Sequence, residues 1–210
     1  MKIQAKDFLS KAEKAKIRQA VAEAEKSTTG EIAVMVVDES DRYRDAEMLG
    51  ALLFSGLISV ILALALHHIT VWFYIPAVTV LFFPFWHLFK LMPQLKLALV
   101  SRQRADGAVR DRAILSFYKK GLHHTKNETG ILVFISLLER RVWILGDKGI
   151  NEKIDPDFWG SLVGEITSGI RDGRALDALC AVIAKCGAEL SRHFPGTPND
   201  TNELPDEVIS

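Results

Sequence analysis

Cysteine is scarce: Cys180 and Cys186 are the only two in 210 residues. They fall in a stretch of helical periodicity, at a spacing that sets them on different faces. That spacing argues against a disulfide between them and is consistent with a reducing compartment, and both read as small buried residues. No Cys-x-x-Cys is present, nor a Gly-x-Ser-x-Gly elbow, nor a Gly-rich phosphate loop ending in Lys and Ser/Thr. The chain therefore carries no complete catalytic motif. Net charge is lacking too: 26 Lys and Arg balance 26 Asp and Glu. That balance gives no footprint for nucleic acid, and none is expected as a partner. The first ten residues, MKIQAKDFLS, have no apolar signal-peptide core, and no internal repeat is visible.

The most informative absence is local. Leu49 to Leu66 contains no Asp, Glu, Lys or Arg, and neither does Ile69 to Phe89. These runs of about 18 and about 21 residues are the length that crosses a hydrocarbon core. Only His67 and His68 separate them, which makes them antiparallel neighbours. Trp72, Tyr74 and Trp86 lie near the ends of the second run, where amphipathic rings prefer the interface. Pro76 and Pro84 are tolerated in a membrane helix. A buried hairpin in a soluble core is the competing reading, though soluble cores seldom need two such runs back to back. Arg42 and Arg44 precede the first run; Lys90, Lys96, Arg102, Arg104, Arg110 and Arg112 follow the second. The turn between carries neither Lys nor Arg. Positive charge stays on the cytoplasmic side. The expectation is a multi-pass protein of a bacterial-type inner (cytoplasmic) membrane with both termini cytoplasmic. The basic flank serves as a topology signal or, in addition, meets anionic membrane lipids.

The rest reads as one small α/β domain, 1–48 and 90–195, opened to admit the 49–89 hairpin and followed by a polar, acidic, disordered tail, 196–210. Ser10 and Glu13 have capping-box spacing ahead of a helix reaching Lys26, with Ile17, Val21 and Ala24 on one face. Glu31 to Val37 is a near-continuous apolar run, the pattern of a strand covered on both sides. Leu95 to Lys120 reads as one helix with Val109, Ala113 and Phe117 in a stripe, stopped by Gly121. Gly130–Leu138 and Arg141–Leu145 make a hairpin across Glu139-Arg140, and a helical crossover sets the first two strands parallel. Gly146 to Gly149 is a loop. Trp159–Gly169 and Ala175–Phe194 close the domain as helices, and Trp143 and Trp159 read as core aromatics.

Several short motifs, in order and spacing, resemble a known family. They are Asp7-Phe8-Leu9, Thr29-Gly30-Glu31-Ile32, Thr129-Gly130-Ile131-Leu132, Glu139-Arg140-Arg141-Val142, Gly146-Asp147-Lys148-Gly149-Ile150, and Trp159 ahead of a break containing Gly173. The order is similar to that of the TPM domain, named for thylakoid, periplasmic and membrane proteins, over residues 5–48 and 100–195. The resemblance implies a small three-layer α/β/α sandwich with a mixed sheet. It implies a role in assembly, repair or quality control of membrane proteins, with other membrane proteins as partners. Some members are weak acid phosphatases, and some bind divalent cations through clustered carboxylates. Many members open the second strand with Asp-Asn-Gly, where this chain has Glu128, Thr129 and Gly130. Asp147 stands where the family's Gly-Tyr-Gly turn has its ring.

The topology itself gathers acids. Glu128 and Asp147 lie at the open end of the strand hairpin, parallel pairing brings Glu31 to the same end, and Asp155 and Asp157 follow the loop. Five carboxylates of this kind suit Mg²⁺ or Ca²⁺, and such an ion polarises a phosphoryl oxygen or activates water. The other reading is ordinary strand-end acids solvated in loops. Two functions stand on this basis: a tethered, non-enzymatic interaction module, and a divalent-metal-dependent phosphatase-like hydrolase.

Overall fold

The computed structural model describes residues 4–67, 70–125, 127–196 and 208–209. His68, Ile69 and the 197–207 part of the tail lie outside the described residues. In chain order the elements are α1 (Ala5–Phe8), α2 (Lys11–Glu25), β1 (Glu31–Val37), α3 (Arg44–Ala65), α4 (Val71–Leu91), α5 (Pro93–Ala98), α6 (Arg102–Lys119), a 3₁₀ turn (Leu122–His124), β2 (Gly130–Ser136), β3 (Arg141–Gly146), α7 (Lys148–Asn151), α8 (Pro156–Arg171) and α9 (Ala175–His193). They fall into two compact units, 1–40 with 108–210, and 41–107.

The first unit is the expected three-layer α/β/α sandwich. Its sheet runs β1-β2-β3, with β1 parallel to β2 and β2 antiparallel to β3. Successive strand residues point to opposite faces. Ile32, Val34, Val36, Ile131, Val133 and Ile135 therefore enter one core with Ile17 and Val21 of α2, Leu162 and Ile166 of α8, and Leu179, Ile183 and Leu190 of α9. Ala33, Met35, Leu132 and Phe134 meet Val109, Ala113 and Phe117 of α6 on the other face. Both faces of β1 and β2 are covered, which is why their sequences are apolar throughout. Trp159 packs with the first core and Trp143 with the second. Ser10 closes the expected box at the start of α2. Its Oγ accepts from the Glu13 amide at 3.3 Å, and Glu13 Oε2 accepts from the Ser10 amide at 2.8 Å.

The second unit is a helical hairpin. α3 turns a face of small residues inward, with Gly50, Ala51, Ser55, Ser59 and Ala63 buried. A Cβ on Gly50 would lie 2.5 Å from the Phe89 ring, so that glycine sets the close approach of α3 to α4. Phe54 stacks at 6.0 Å on Phe85 and 5.7 Å on Phe89. The outward residues are large and apolar: Leu53, Leu57, Val80 and Phe83 are each more than half exposed. At the base, Lys96 Nζ donates to the Arg42 carbonyl at 2.8 Å and to Glu47 Oε1 at 3.2 Å. Arg104 forks onto both oxygens of Asp45 and lies over the Tyr43 ring at 5.8 Å.

Several expectations shift at element ends. The single helix over 95–120 is two, α5 and α6, because Ser101 Oγ accepts from the Arg104 amide at 3.3 Å and starts a new helix. β2 stops at Ser136, whose hydroxyl donates to the Glu139 carboxylate and accepts from Ser40 Oγ at 2.9 Å. The loop at 146–149 runs into a helical turn, α7, capped by Asp147. α8 begins at Pro156 instead of Trp159, with Asp155 as its cap. In the tail read as disordered, Val208 and Ile209 instead lie along β1, where Ile209 forms a parallel bridge with Met35.

Gly130 tests the packing at the start of β2. A Cβ there would sit 2.3 Å from the Leu122 carbonyl oxygen, a backbone atom with nowhere to retreat. Gly130→Ala is expected to cost about 1–3 kcal/mol as overpacking, read as a melting midpoint several degrees lower.

Candidate functional site

The residues at the amino ends of β1 and β2 form the candidate site. Each strand opens with Thr-Gly. The Glu31 amide donates to the Thr129 carbonyl at 3.2 Å, and the Asp147 amide donates to the Gly130 carbonyl at 2.9 Å. These bonds bring Glu31, Glu128 and Asp147 to one end of the sheet, as the parallel pairing implies. The loop carrying Asp147 closes tightly on the one carrying Glu128. A Cβ on Gly149 would lie 2.6 Å from the Asn127 carbonyl oxygen and 2.9 Å from that of Glu128.

The individual acids have separate surroundings. Glu31 is buried. Glu128 is exposed and sits in the left-handed region at φ 53°. Asp147 Oδ1 accepts from the Lys148 amide at 2.8 Å as the cap of α7. Its Oδ2 is buried with no hydrogen-bond partner among the described residues. Asp155 and Asp157 are exposed at the start of α8, where Asp155 Oδ1 accepts from the Asp157 amide at 2.8 Å. Among the described residues no three His, Cys, Asp or Glu side chains come together closely enough to hold a metal ion. The five acids therefore do not fit a preformed Mg²⁺ or Ca²⁺ centre in this arrangement: Asp147 and Asp155 serve as caps, Glu128 and Asp157 are exposed, and Glu31 is buried.

Threonine hydroxyls hold this end together, a feature the sequence reading missed. Thr129 Oγ1 donates to the Thr29 carbonyl at 3.1 Å, and Thr125 Oγ1 accepts from the Thr129 amide at 2.9 Å. Thr28 Oγ1 donates to the Phe194 carbonyl at 2.7 Å and accepts from the Gly30 amide at 3.1 Å. The signal was the repeated Thr-Gly. Thr129, which departs from the Asn that many members of the resembled family carry, is fully buried and fastens β2 to the residues that lead into β1.

Neither cysteine is a poised nucleophile. Burial pushes the Cys186 thiol up from the ordinary 9.0 to about 12. Cys180 is raised as well, by burial first and then by the Asp177 carboxylate. Thiolate is the reactive form, so both are held in the inert one.

Two measurements follow from these surroundings. Asp155→Ala is expected to remove about 0.5–2 kcal/mol of stability as a lost cap; Asp155→Asn should restore most of it, and chelator should change neither midpoint. For Cys186, the unfolded chain releases its proton near pH 9 and the folded chain near pH 12. Between these values the unfolded state binds fewer protons. Stability therefore falls as pH rises, by at most about 1.4 kcal/mol per pH unit from this group. Cys186→Ala should flatten the decline of the melting midpoint above pH 9; an unchanged slope would contradict the assignment.

Comparison with known proteins agrees with this architecture. No curated protein matches the chain. The NMR structure of BA42 protein from the psychrophilic bacterium Bizionia argentinensis is similar in fold. It is 22% identical in sequence, with a TM-score of 0.60 over 96% of this chain and 94% of that one. The family model described as TPM domain matches residues 3–56 and 94–189. The unmatched stretch between them holds all of α4 and the end of α3. The chain belongs to the TPM domain family.

Proposed function

We propose that this chain is a membrane-anchored TPM module that engages other membrane proteins during their assembly, repair or quality control, without chemistry of its own. The observation that carries the reading is the place and character of the hairpin. It is inserted between β1 and β2 of an otherwise whole TPM fold, and its two helices are long and apolar enough to cross a membrane. In the most apolar window of each, 28% of α3 and none of α4 is buried. A hairpin belonging to a soluble core would hide these residues, and their exposure supports a lipid-facing reading. Positive charge on both flanks and none in the turn supports a cytoplasmic domain at a bacterial-type inner membrane.

A second reading, a divalent-metal-dependent phosphatase-like hydrolase, draws on the orphaned Asp147 Oδ2. It is separable by melting with EDTA, Mg²⁺ and Ca²⁺. A site filled at a hundred times its dissociation constant adds about 2.7 kcal/mol, and that gain should disappear in Asp147→Ala.

The anchoring is tested by extraction. Leu57→Lys together with Val80→Lys places two charges in the hairpin, each costing about 2.5–3.5 kcal/mol at a helix centre. Most of the chain should then leave the membrane fraction on alkaline washing, and crosslinks to membrane neighbours should disappear. Glu128→Ala and Asp147→Ala should keep both. Retention of the doubly charged variant in the membrane would refute the anchor, and loss of crosslinks in the two alanine variants would favour the hydrolase.

A further inference from the structure

β1 is an edge strand with one row of backbone groups turned away from β2, on Ile32, Val34 and Val36. All three residues are buried, at 3%, 2% and 1% exposure, so these groups need partners within the fold. Glu25 Oε1 accepts from the Ile32 amide at 2.7 Å. One backbone group at each of the next two positions is met by a segment far along the chain. The Ile209 amide donates to the Val34 carbonyl at 3.0 Å, and the Val36 amide donates to the Ile209 carbonyl at 2.9 Å. Val208 packs against the first core and Ile209 against the second. Two residues thus behave as a fourth strand, one side chain for each face of the sheet.

The hold is slight compared with that on the other side of β1. Seven residue pairs join β1 to β2, whereas among the described residues Ile209 forms a single bridge. The segment is attached through residues 197–207, which carry Asp200, Glu203, Asp206 and Glu207 and no Lys or Arg. At its other end, the Gly196 amide is tied to the Ser27 carbonyl at 3.0 Å.

We propose that the outer edge of β1 is a strand-docking site. Its ligand is an extended peptide that runs parallel to β1 and carries two adjacent aliphatic residues, one for each face. Val208–Ile209 is the resident occupant, displaced when a partner protein presents such a segment. Main-chain bonds then supply affinity and the two side chains supply selection, as in other cases of strand addition. An occupant in place also keeps a bare edge from pairing indiscriminately. The inference rests on the reading of the chain as a tethered interaction module and gives that module a place to grip. The edge is tested apart from the tether, because membrane extraction does not read it.

The test uses the full chain in detergent and a fluorescent peptide spanning Leu204 to Ser210. The natural chain, with its own segment in place, should bind the peptide weakly. Val208→Asp with Ile209→Asp vacates the edge, and that variant should bind at least ten-fold more tightly by anisotropy. Ile209→Ala keeps the backbone pair and gives up the side chain, so it should fall between the two and remains readable if the double variant does not fold. A peptide bearing Ile209→Asp should not bind. Equal binding by the natural chain and its folded variants, or binding by none of them, would overturn the proposal.

Discussion

The parallel pairing of β1 with β2 is the constraint on which the molecule is arranged. Parallel strands cannot be joined by a tight turn, so the chain has to travel back before β2 begins. A dozen residues suffice for that return; here residues 38–129 make it. Loop-closure entropy grows only with the logarithm of length, about 0.6 kcal/mol for each doubling. Three doublings thus cost about 2 kcal/mol on that scale, and α3 and α4 shorten the effective loop by packing on each other. An insertion of this size is tolerable because the half of the crossover that matters for the sheet, α6 from Val109 to Phe117, still covers Ala33, Met35, Leu132 and Phe134. The TPM fold admits a hairpin here without giving up its second face.

Parallel pairing also concentrates demands at the strand starts. Both glycines there are closely approached, Gly130 by backbone and Gly30 by the end of a side chain. A Cβ on Gly30 would meet Leu190 at 2.7 Å, and one on Gly130 would meet the Leu122 backbone. Each follows a threonine, whose hydroxyl and backbone groups can reach the peptide groups that the approaching chains leave unpaired. The acids at this end enter a framework already held by Thr28, Thr29, Thr125 and Thr129. Asp147 and Asp155 then add their carboxylates to helix starts. Residue types that suggest a cation centre are, in this arrangement, largely occupied with the peptide groups that every loop and helix end exposes.

What could be read from the sequence follows from the range of each interaction. The seven residues of β1, the capping box at Ser10 and the apolar stripe of α6 were legible because period and cap are local. Burial on both sheet faces was legible in Glu31–Val37 for the same reason. Parallel pairing was reachable from topology alone. The break at Ser101 was not, because its sequence on both sides is helical and one side-chain hydrogen bond decides it. Nor was the turn after Ser136, which depends on Ser40 almost a hundred residues earlier. Val208 and Ile209 were invisible for a further reason: two aliphatic residues after an acidic stretch have no period, and their partner is an edge that only the assembled sheet creates. The carboxylates were placed at one end of the sheet correctly in the case of Glu31, Glu128 and Asp147. Their division between burial, solvent and capping depends on loop geometry that spacing does not encode.

The sheet unit buries its apolar residues and the hairpin unit leaves many large ones exposed, yet the hairpin unit also holds a few buried charged residues at its base. Within the hairpin unit, the Lys96 side chain is only 5% exposed and meets Glu47 at 13% exposure. Taking such a pair out of water returns little net stability. Its value lies in discrimination. Removing one partner leaves a buried charge uncompensated, at a cost of about 3–5 kcal/mol, so the register that keeps Glu47, Lys96 and the Arg42 carbonyl together is strongly favoured over any slip between α3 and α5. Apolar packing alone would not fix that register, since Leu and Phe along the hairpin can exchange neighbours at small cost. α3 is thus aligned with α5 by polar contacts at the base of the hairpin, while the sheet is aligned by peptide hydrogen bonds and close-packed glycines.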